Sequence, residues 1–422
     1  MNFTFYKCIM ILTALLWTSK AQCQSDTLHL NFKEAEKLFL ANNLQLLAQR
    51  YNVDASQALA QQAKLWDNPV ISIQQNITDK SAKFFQHGRN AGNVVIQLSQ
   101  LIQTAGKREK KISVANDDQA IKQAAFDDMM RKLRFNLLLD LAQTANLIEQ
   151  TKVYQMEIAS ASSLVNTAER AYHNGNNSFK NIIRLKALLF GLQNDLVGID
   201  RQINDLQSEL RILLTADSSQ YIYPAITLKN RDTALNIPSL IEQAKTLRGD
   251  YLINYYSFEQ GKNNLKLQKA LAVPDVTLGP VYDQRGNYAP AYWGLQVSLP
   301  LPILNRNQGN IKSARLMVQS QNLLLKANAL TLQNEIYTAY KQYRLAQRML
   351  GKAETDFYDN YDKLYLGMSN AFQMKQINLQ EFVDFFDAYR DTKIKILQQQ
   401  FNLQKAIADL NFAAGTTVIS PL

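Results

Sequence analysis

The sequence predicts a mainly α-helical fold built as two internal repeats, each giving two strands to a transmembrane β-barrel. Three observations predict it. The chain is written twice, two helical patterns run too long for a compact globule, and four short segments alternate apolar and polar residues with period two.

The first residues stand apart. Lys7 precedes an apolar run, Ile9 to Trp17, that is too short to cross a bilayer, and the small residues Ser19 and Ala21 follow. Residues 1–21 therefore read as an export signal peptide cleaved after Ala21. A buried N-terminal helix would leave the early Lys and the abrupt change to polar sequence unexplained. Cys8 leaves with the signal, so at most Cys23 remains and no internal disulfide is expected. A lipid on Cys23 wants a small residue before it, and Gln22 is not small. Beyond the signal no apolar run reaches about eighteen residues, so no helix spans a membrane. An exported chain of this kind is either soluble or crosses a membrane as a β-barrel.

At an offset of 205, Leu47, Tyr51, Lys64 and Pro69 land on Leu252, Tyr256, Lys269 and Pro274. At 199, Ser99, Ile112 and Ala115 land on Ser298, Ile311 and Ala314; at 200, Ala171 and Leu210 land on Ala371 and Leu410. Matches that keep their order through a single indel mark two repeats, 28–217 and 236–416, joined by a linker at 218–235 that contains Tyr223-Pro224.

Each repeat reads helix, strand, strand, very long helix, helix. The first helix, 31–66, places Phe32, Ala35, Leu38 and Phe39 at a helical period, and Asn68-Pro69 ends it as Val273-Pro274 ends its counterpart. Strands follow at about 70–77, 93–100, 275–282 and 292–299. In the first, Ile71, Ile73 and Ile77 oppose Ser72, Gln74 and Asn76; in the last, Trp293, Leu295, Val297 and Leu299 oppose Gly294, Gln296 and Ser298. Polar loops, 79–92 and 283–290, separate the strands. Phe84, Phe85, Tyr282, Tyr288, Tyr292 and Trp293 cluster near the strand ends, and Tyr292 and Trp293 are the candidates for the membrane interface. The long helices run from about 106 to 172, through Leu133, Leu137, Leu141 and Ile148, and from about 307 to 372. In the second, Leu316, Leu323, Leu330 and Tyr337 are spaced by sevens, a coiled-coil seam. A helix of roughly 65 residues is about 100 Å long, so something must be spanned.

Four strands cannot close a barrel, and an open edge in lipid leaves backbone groups unpaired at several kcal/mol each. Copies must pool their strands in multiples of four. About twelve leave an open lumen where about eight would be filled by side chains, which predicts a homotrimer in outer-membrane lipid.

The doubled pattern resembles the TolC-type outer-membrane efflux proteins over essentially the whole mature chain. The resemblance is carried by Ala41-Asn42-Asn43-Leu44, Leu65-Trp66-Asp67-Asn68-Pro69, Thr104-Ala105-Gly106-Lys107-Arg108 and Tyr172-His173-Asn174-Gly175 in their doubled order. Within that family the likeness leans to the heavy-metal cation efflux branch. It implies a trimeric twelve-stranded barrel on a periplasmic α-helical barrel. It also implies an exit duct that docks a periplasmic adaptor, or membrane fusion protein, and an inner-membrane pump.

The turns furthest from the strands are the candidate docking tips: Asn174, Gly175 and Asn176 in the first repeat, Lys375 and Gln376 in the second, where Lys375 replaces the family's usual glycine. A plain solvated turn is the alternative. Beyond the second tip Glu381, Asp384, Asp387 and Asp391 share one helical face. On a lone helix that is a solvated stripe; in a trimer it becomes a carboxylate ring, which favours cations. The resemblance puts the family's gate acids at Glu381 and Asp384, and Asp387 extends the candidate pore gate. The first repeat has Asn181 and Arg184 at the matching places.

Composition excludes other classes. The chain has 422 residues, 46% hydrophobic, with only 15 Gly and 9 Pro, which favours long helices over a loop-rich catalytic fold. Its formal charge of +10 is scattered, so no nucleic-acid partner is expected. His29, His87 and His173 form no metal pattern, and Gly106-Lys107-Arg108 lacks the Ser/Thr and upstream Gly of a phosphate loop. No enzyme activity, cofactor or metal site is expected. The rival reading is a soluble periplasmic coiled-coil scaffold or adaptor whose small sheet never enters lipid.

Overall fold

The computed structural model describes residues 27–78, 84–85, 92–175, 178–225, 235–286, 289–351, 355–374 and 376–420. The expected signal peptide, Cys23, His87, Tyr288, Asn176 and Lys375 lie outside the described residues, as does 226–234 of the linker. In chain order the elements are β1 (Thr27–Leu30), α1 (Phe32–Asn42), α2 (Leu44–Gln62), β2 (Val70–Gln75), β3 (Val94–Ile102), α3 (Lys107–His173) and α4 (Phe179–Leu214). There follow β4 (Tyr221–Pro224), α5 (Ile237–Leu247), α6 (Gly249–Leu271), β5 (Val276–Arg285), β6 (Pro290–Ser298), α7 (Gln308–Gly351), α8 (Thr355–Gln373) and α9 (Leu379–Ala414).

The helix expected at 31–66 is two helices. The Asn43 N–H donates to Phe39 O (2.9 Å), closing α1, while its side chain accepts from Leu46 N (2.9 Å), opening α2. Its amide also donates to Leu213 O at the end of α4 (2.9 Å), so one buried residue ends, starts and anchors. A similar join stands 205 residues on, at Arg248 between α5 and α6. Its N–H donates to Ala244 O, and its guanidinium donates to Ala413 O and pairs with Asp250 and Glu335.

The long helix of the first half is unbroken: α3 has 67 residues, about 100 Å of rod at 1.5 Å per residue. Its counterpart, expected from about 307 to 372, is described as two helices, α7 to Gly351 and α8 from Thr355, with 352–354 outside the described residues. Buried Leu137 and Leu141 pack on Phe39, Leu210 and Ile222, whereas Leu316, Leu323, Leu330 and Tyr337 along α7 are exposed.

The strands form one antiparallel sheet, ordered β2-β3-β5-β6, so the two halves meet through β3 and β5. Their ends differ from expectation by a few residues. β2 stops at Gln75, β3 runs on to Ile102, and β5 and β6 absorb half of the supposed loop at 283–290. One face carries Ile71, Ile73, Leu98, Trp293, Leu295 and Val297; Ser72, Gln97, Gln296 and Ser298 lie on the other. Neither β2 nor β6 has a second strand partner among the described residues. A two-stranded parallel sheet of β1 and β4, unforeseen, covers α3 and α4.

At the foot of the sheet, Lys107 Nζ donates to Asp275 Oδ1 and Val273 O, both at 2.6 Å, and Thr104 Oγ1 donates to Pro274 O (2.6 Å). The first half's rod is thus pinned to the second half's strand. No helix among the described residues is long and apolar enough to cross a membrane.

Candidate functional site: the helical tips

The ends of α3 and α9 furthest from the sheet pack with the start of α4 and with α8 in one core. Ala161, Leu164, Val165 and Ala168 of α3 and Ile182, Leu185 and Leu192 of α4 meet Tyr365 of α8 and Phe382, Phe386 and Tyr389 of α9. Small residues on α3 leave room for the aromatics of α9. Phe372 stacks on Phe382 with centroids 4.7 Å apart, and Tyr365 stacks on Tyr389 at 4.3 Å.

The first tip closes by helix-end chemistry. Asn174 caps α3, its N–H donating to Arg170 O, and Gly175 follows at φ 74°, with its N–H on Tyr172 O (2.8 Å). A left-handed residue here is the ordinary use of glycine after a helix. The second tip closes through Met374 N to Asn370 O (2.9 Å) and Gln376 N to Ala371 O (2.8 Å). Asn378 then caps α9, its side chain accepting from Glu381 N (2.9 Å). Asn174, Gly175 and Gln376 are all exposed.

Because Phe382, Phe386 and Tyr389 face the core, the acids of α9 fall on the outer side. Glu381, Asp384 and Asp391 are exposed. Asp387 sits at the boundary, 3.1 Å from Arg390, whose other arm reaches Asp391 at 3.0 Å. Burial pushes Asp387 up, Arg390 opposes that, and Asp391 adds to it. The expected stripe is therefore two exposed carboxylates, Glu381 and Asp384, and two, Asp387 and Asp391, held by Arg390 in an ion-pair cluster.

Behind that cluster lies Glu157 of α3, which sequence reasoning missed. It is 0% exposed and neither carboxylate oxygen has a hydrogen-bond partner. Burial pushes its carboxyl up to about 8, relieved in part by Arg390 and reinforced by Asp387 and Asp391. The signal was available: Glu157 is in phase with Ala161, Leu164, Val165 and Ala168, an acid on an apolar stripe. A second polar link ties α8 to α9, where Asp362 accepts from Tyr389 Oη (2.8 Å) and pairs with Lys393 (2.6 Å). No group of metal-ligating residues is found among the described residues.

At the sheet, Trp293 sits on the apolar face, 5.2 Å from the Tyr282 ring. Tyr292, its neighbour, pairs with Asp283 on the opposite face, so the two cannot both meet lipid in one closed sheet.

Residues 37–215 match the sequence model of the family described as outer membrane efflux protein. The cobalt-zinc-cadmium resistance protein CzcC of Cupriavidus metallidurans is 21% identical over 365 residues, 86% of this chain and 83% of that one. In fold the chain is similar to the outer membrane protein VceC of Vibrio cholerae, with a TM-score of 0.73 at 16% identity, covering 91% of this chain and 96% of that one. It is also similar to CusC, whose crystal structures concern folding and transmembrane channel formation, with a TM-score of 0.74 at 13% identity over 92% and 94%.

Fold and sequence thus point to one class: the fold is that of solved outer-membrane channel subunits, and residues 37–215 carry the pattern of an outer membrane efflux family. Over residues 37–215 the chain is similar to the outer membrane efflux protein family, whose members work with a periplasmic adaptor and an inner-membrane pump.

Proposed function

We propose that three copies of this chain pool their sheets into one closed twelve-stranded barrel above a shared helical tunnel, forming the exit duct of a tripartite cation-efflux pump. The observation that carries this reading is the sheet: among the described residues both edges lack a second strand partner, and Ile71, Ile73 and Trp293 on its apolar face are 66%, 68% and 70% exposed. A soluble scaffold would not leave such a face in water. Lipid outside and neighbouring copies at each edge satisfy it. The exposed heptad stripe of α7 gives the helical part a surface for the same neighbours. Similarity to CzcC supports metal cations as the cargo class.

In this reading the exposed turns at Asn174-Gly175 and Gln376, with Asn176 and Lys375 beside them, receive the adaptor. Glu381 and Asp384, backed by Asp387, ring the periplasmic mouth and admit cations in preference to anions. The test is the Glu381→Gln, Asp384→Asn double variant in planar bilayers. Cation-over-anion permeability should fall and resting leak should rise; unchanged conductance and selectivity refute the gate. A wild-type protein that stays monomeric and water-soluble without detergent refutes the duct.

A further inference from the structure

Tyr292 has a geometry that the membrane-interface expectation does not explain. Its ladder partner is Asp283, and it shares a face with Gly294 and Gln296 rather than with Trp293, Leu295 and Val297. Its ring lies down along the strand. A Cβ built on Gly294 would meet Tyr292 Cε1 at 2.7 Å and Oη at 2.8 Å, so only glycine lets the ring rest there. The residue before it, Ala291, takes φ 59°, a strained turn for a non-glycine residue that leads directly into the tyrosine. Asp283 Oδ1 accepts from Arg285 N at 3.0 Å, which fixes the carboxylate. Both residues stand at the hairpin end of the sheet, just inside the terminal rung Arg285–Pro290 and away from the helices that leave the opposite end.

We propose that Tyr292 and Asp283 line the inside of the barrel at its outer mouth, where three copies form a girdle of phenol rings and carboxylates that narrows the exit and favours cations. The inference rests on the barrel proposed above, with the apolar face outward and the polar face inward. Gly294 acts as the floor that keeps each ring flat against the wall. Asp283 supplies fixed negative charge beside the ring, the arrangement by which charged rings select ions in pores. The duct then has two cation-favouring constrictions, one at each end.

Full-length protein in a Cys23→Ser background, reconstituted in planar bilayers, tests this with a water-soluble cationic methanethiosulfonate as probe. Tyr292→Cys channels should step down in conductance when the probe is added, and Trp293→Cys channels should not respond. Tyr292→Ala should raise unitary conductance and Tyr292→Phe should leave it unchanged, because the ring rather than the hydroxyl fills the lumen. Asp283→Asn should lower cation-over-anion permeability roughly twofold. Normal wild-type channels with Tyr292→Cys unresponsive, or with Trp293→Cys the one that responds, overturn the girdle and return Tyr292 to the lipid side while the duct stands. Absence of channels and trimers in the wild type overturns both.

Discussion

The two helical tips share a plan and differ in what they carry. The first, between α3 and α4, is spare: a 67-residue uninterrupted rod, an Asn-Gly turn, and aliphatic Ile182, Leu185 and Leu192 facing the core. The second, between α8 and α9, brings the aromatics Tyr365, Phe372, Phe382, Phe386 and Tyr389, the acids of α9, and the Arg390 and Asp362 links. Where the second has Glu381 and Asp384, the first has Asn181 and Arg184. One hairpin is therefore plain while the other carries charge and aromatic packing. The plain partner contributes to this directly, since the small residues of α3 make the space that the rings of α9 fill.

The sharpest way to break the contrast is to remove one ring. Phe386 is fully buried, and Phe386→Ala should cost about 3–5 kcal/mol, read as a lower Tm of the detergent-solubilised protein. Leu185→Ala, the aliphatic counterpart, should cost less, on the order of 2–3 kcal/mol; equal losses would erase the distinction between the tips.

Glu157 gives the next effect, and its sign is unusual for a carboxylate. Its folded-state carboxyl is raised, to about 8 from an ordinary 4.5. The folded state therefore holds the proton more tightly, and stability present below the unfolded value is lost as pH rises through the folded one. Melting followed from pH 4.5 to 8 should show destabilisation on the order of 3 kcal/mol in the wild type, which Glu157→Gln flattens. A wild-type melting point that rises across that window would contradict the buried, unpartnered acid.

The smallest effect belongs to the plain tip. A Cβ on Gly175 meets nothing within 4 Å, so Gly175→Ala pays only for its φ of 74°, about 1 kcal/mol of local helix-end stability. Hydrogen exchange at Tyr172 and Asn174 measures it, and unchanged protection would show that the turn does not need its left-handed residue.

Much of this was legible in the sequence. Period-two alternation in Ile71-Ser72-Ile73 and in Trp293-Gly294-Leu295 reports side chains on a pleated surface, which is local physics. The break at Asn43 was not legible as a break, because no proline marks it; it depends on Leu213, 170 residues away, accepting the Asn43 amide. β1 and β4 have four residues each, too few for a period to show. The acids of α9 were found by spacing, and the same spacing offers Arg390 to Asp387 three residues on; what needed three dimensions was the buried Glu157 behind that pair. Tyr292 and Trp293 are instructive: adjacent strand residues point to opposite sides, so the rule that found the strand also puts the two candidates on different faces.

The seam between the halves also says something about chain continuity. β3 is hydrogen-bonded to β5, Lys107 grips Asp275, Arg131 stacks on Phe412, and the Asn146 amide donates to Leu397 O. Stitching runs along the whole length of the subunit, while covalent linkage crosses it once. Two polypeptides translated separately, one ending and the other starting within 218–235, would carry every one of those stitches, and a subunit reassembled from them would lack only a peptide bond.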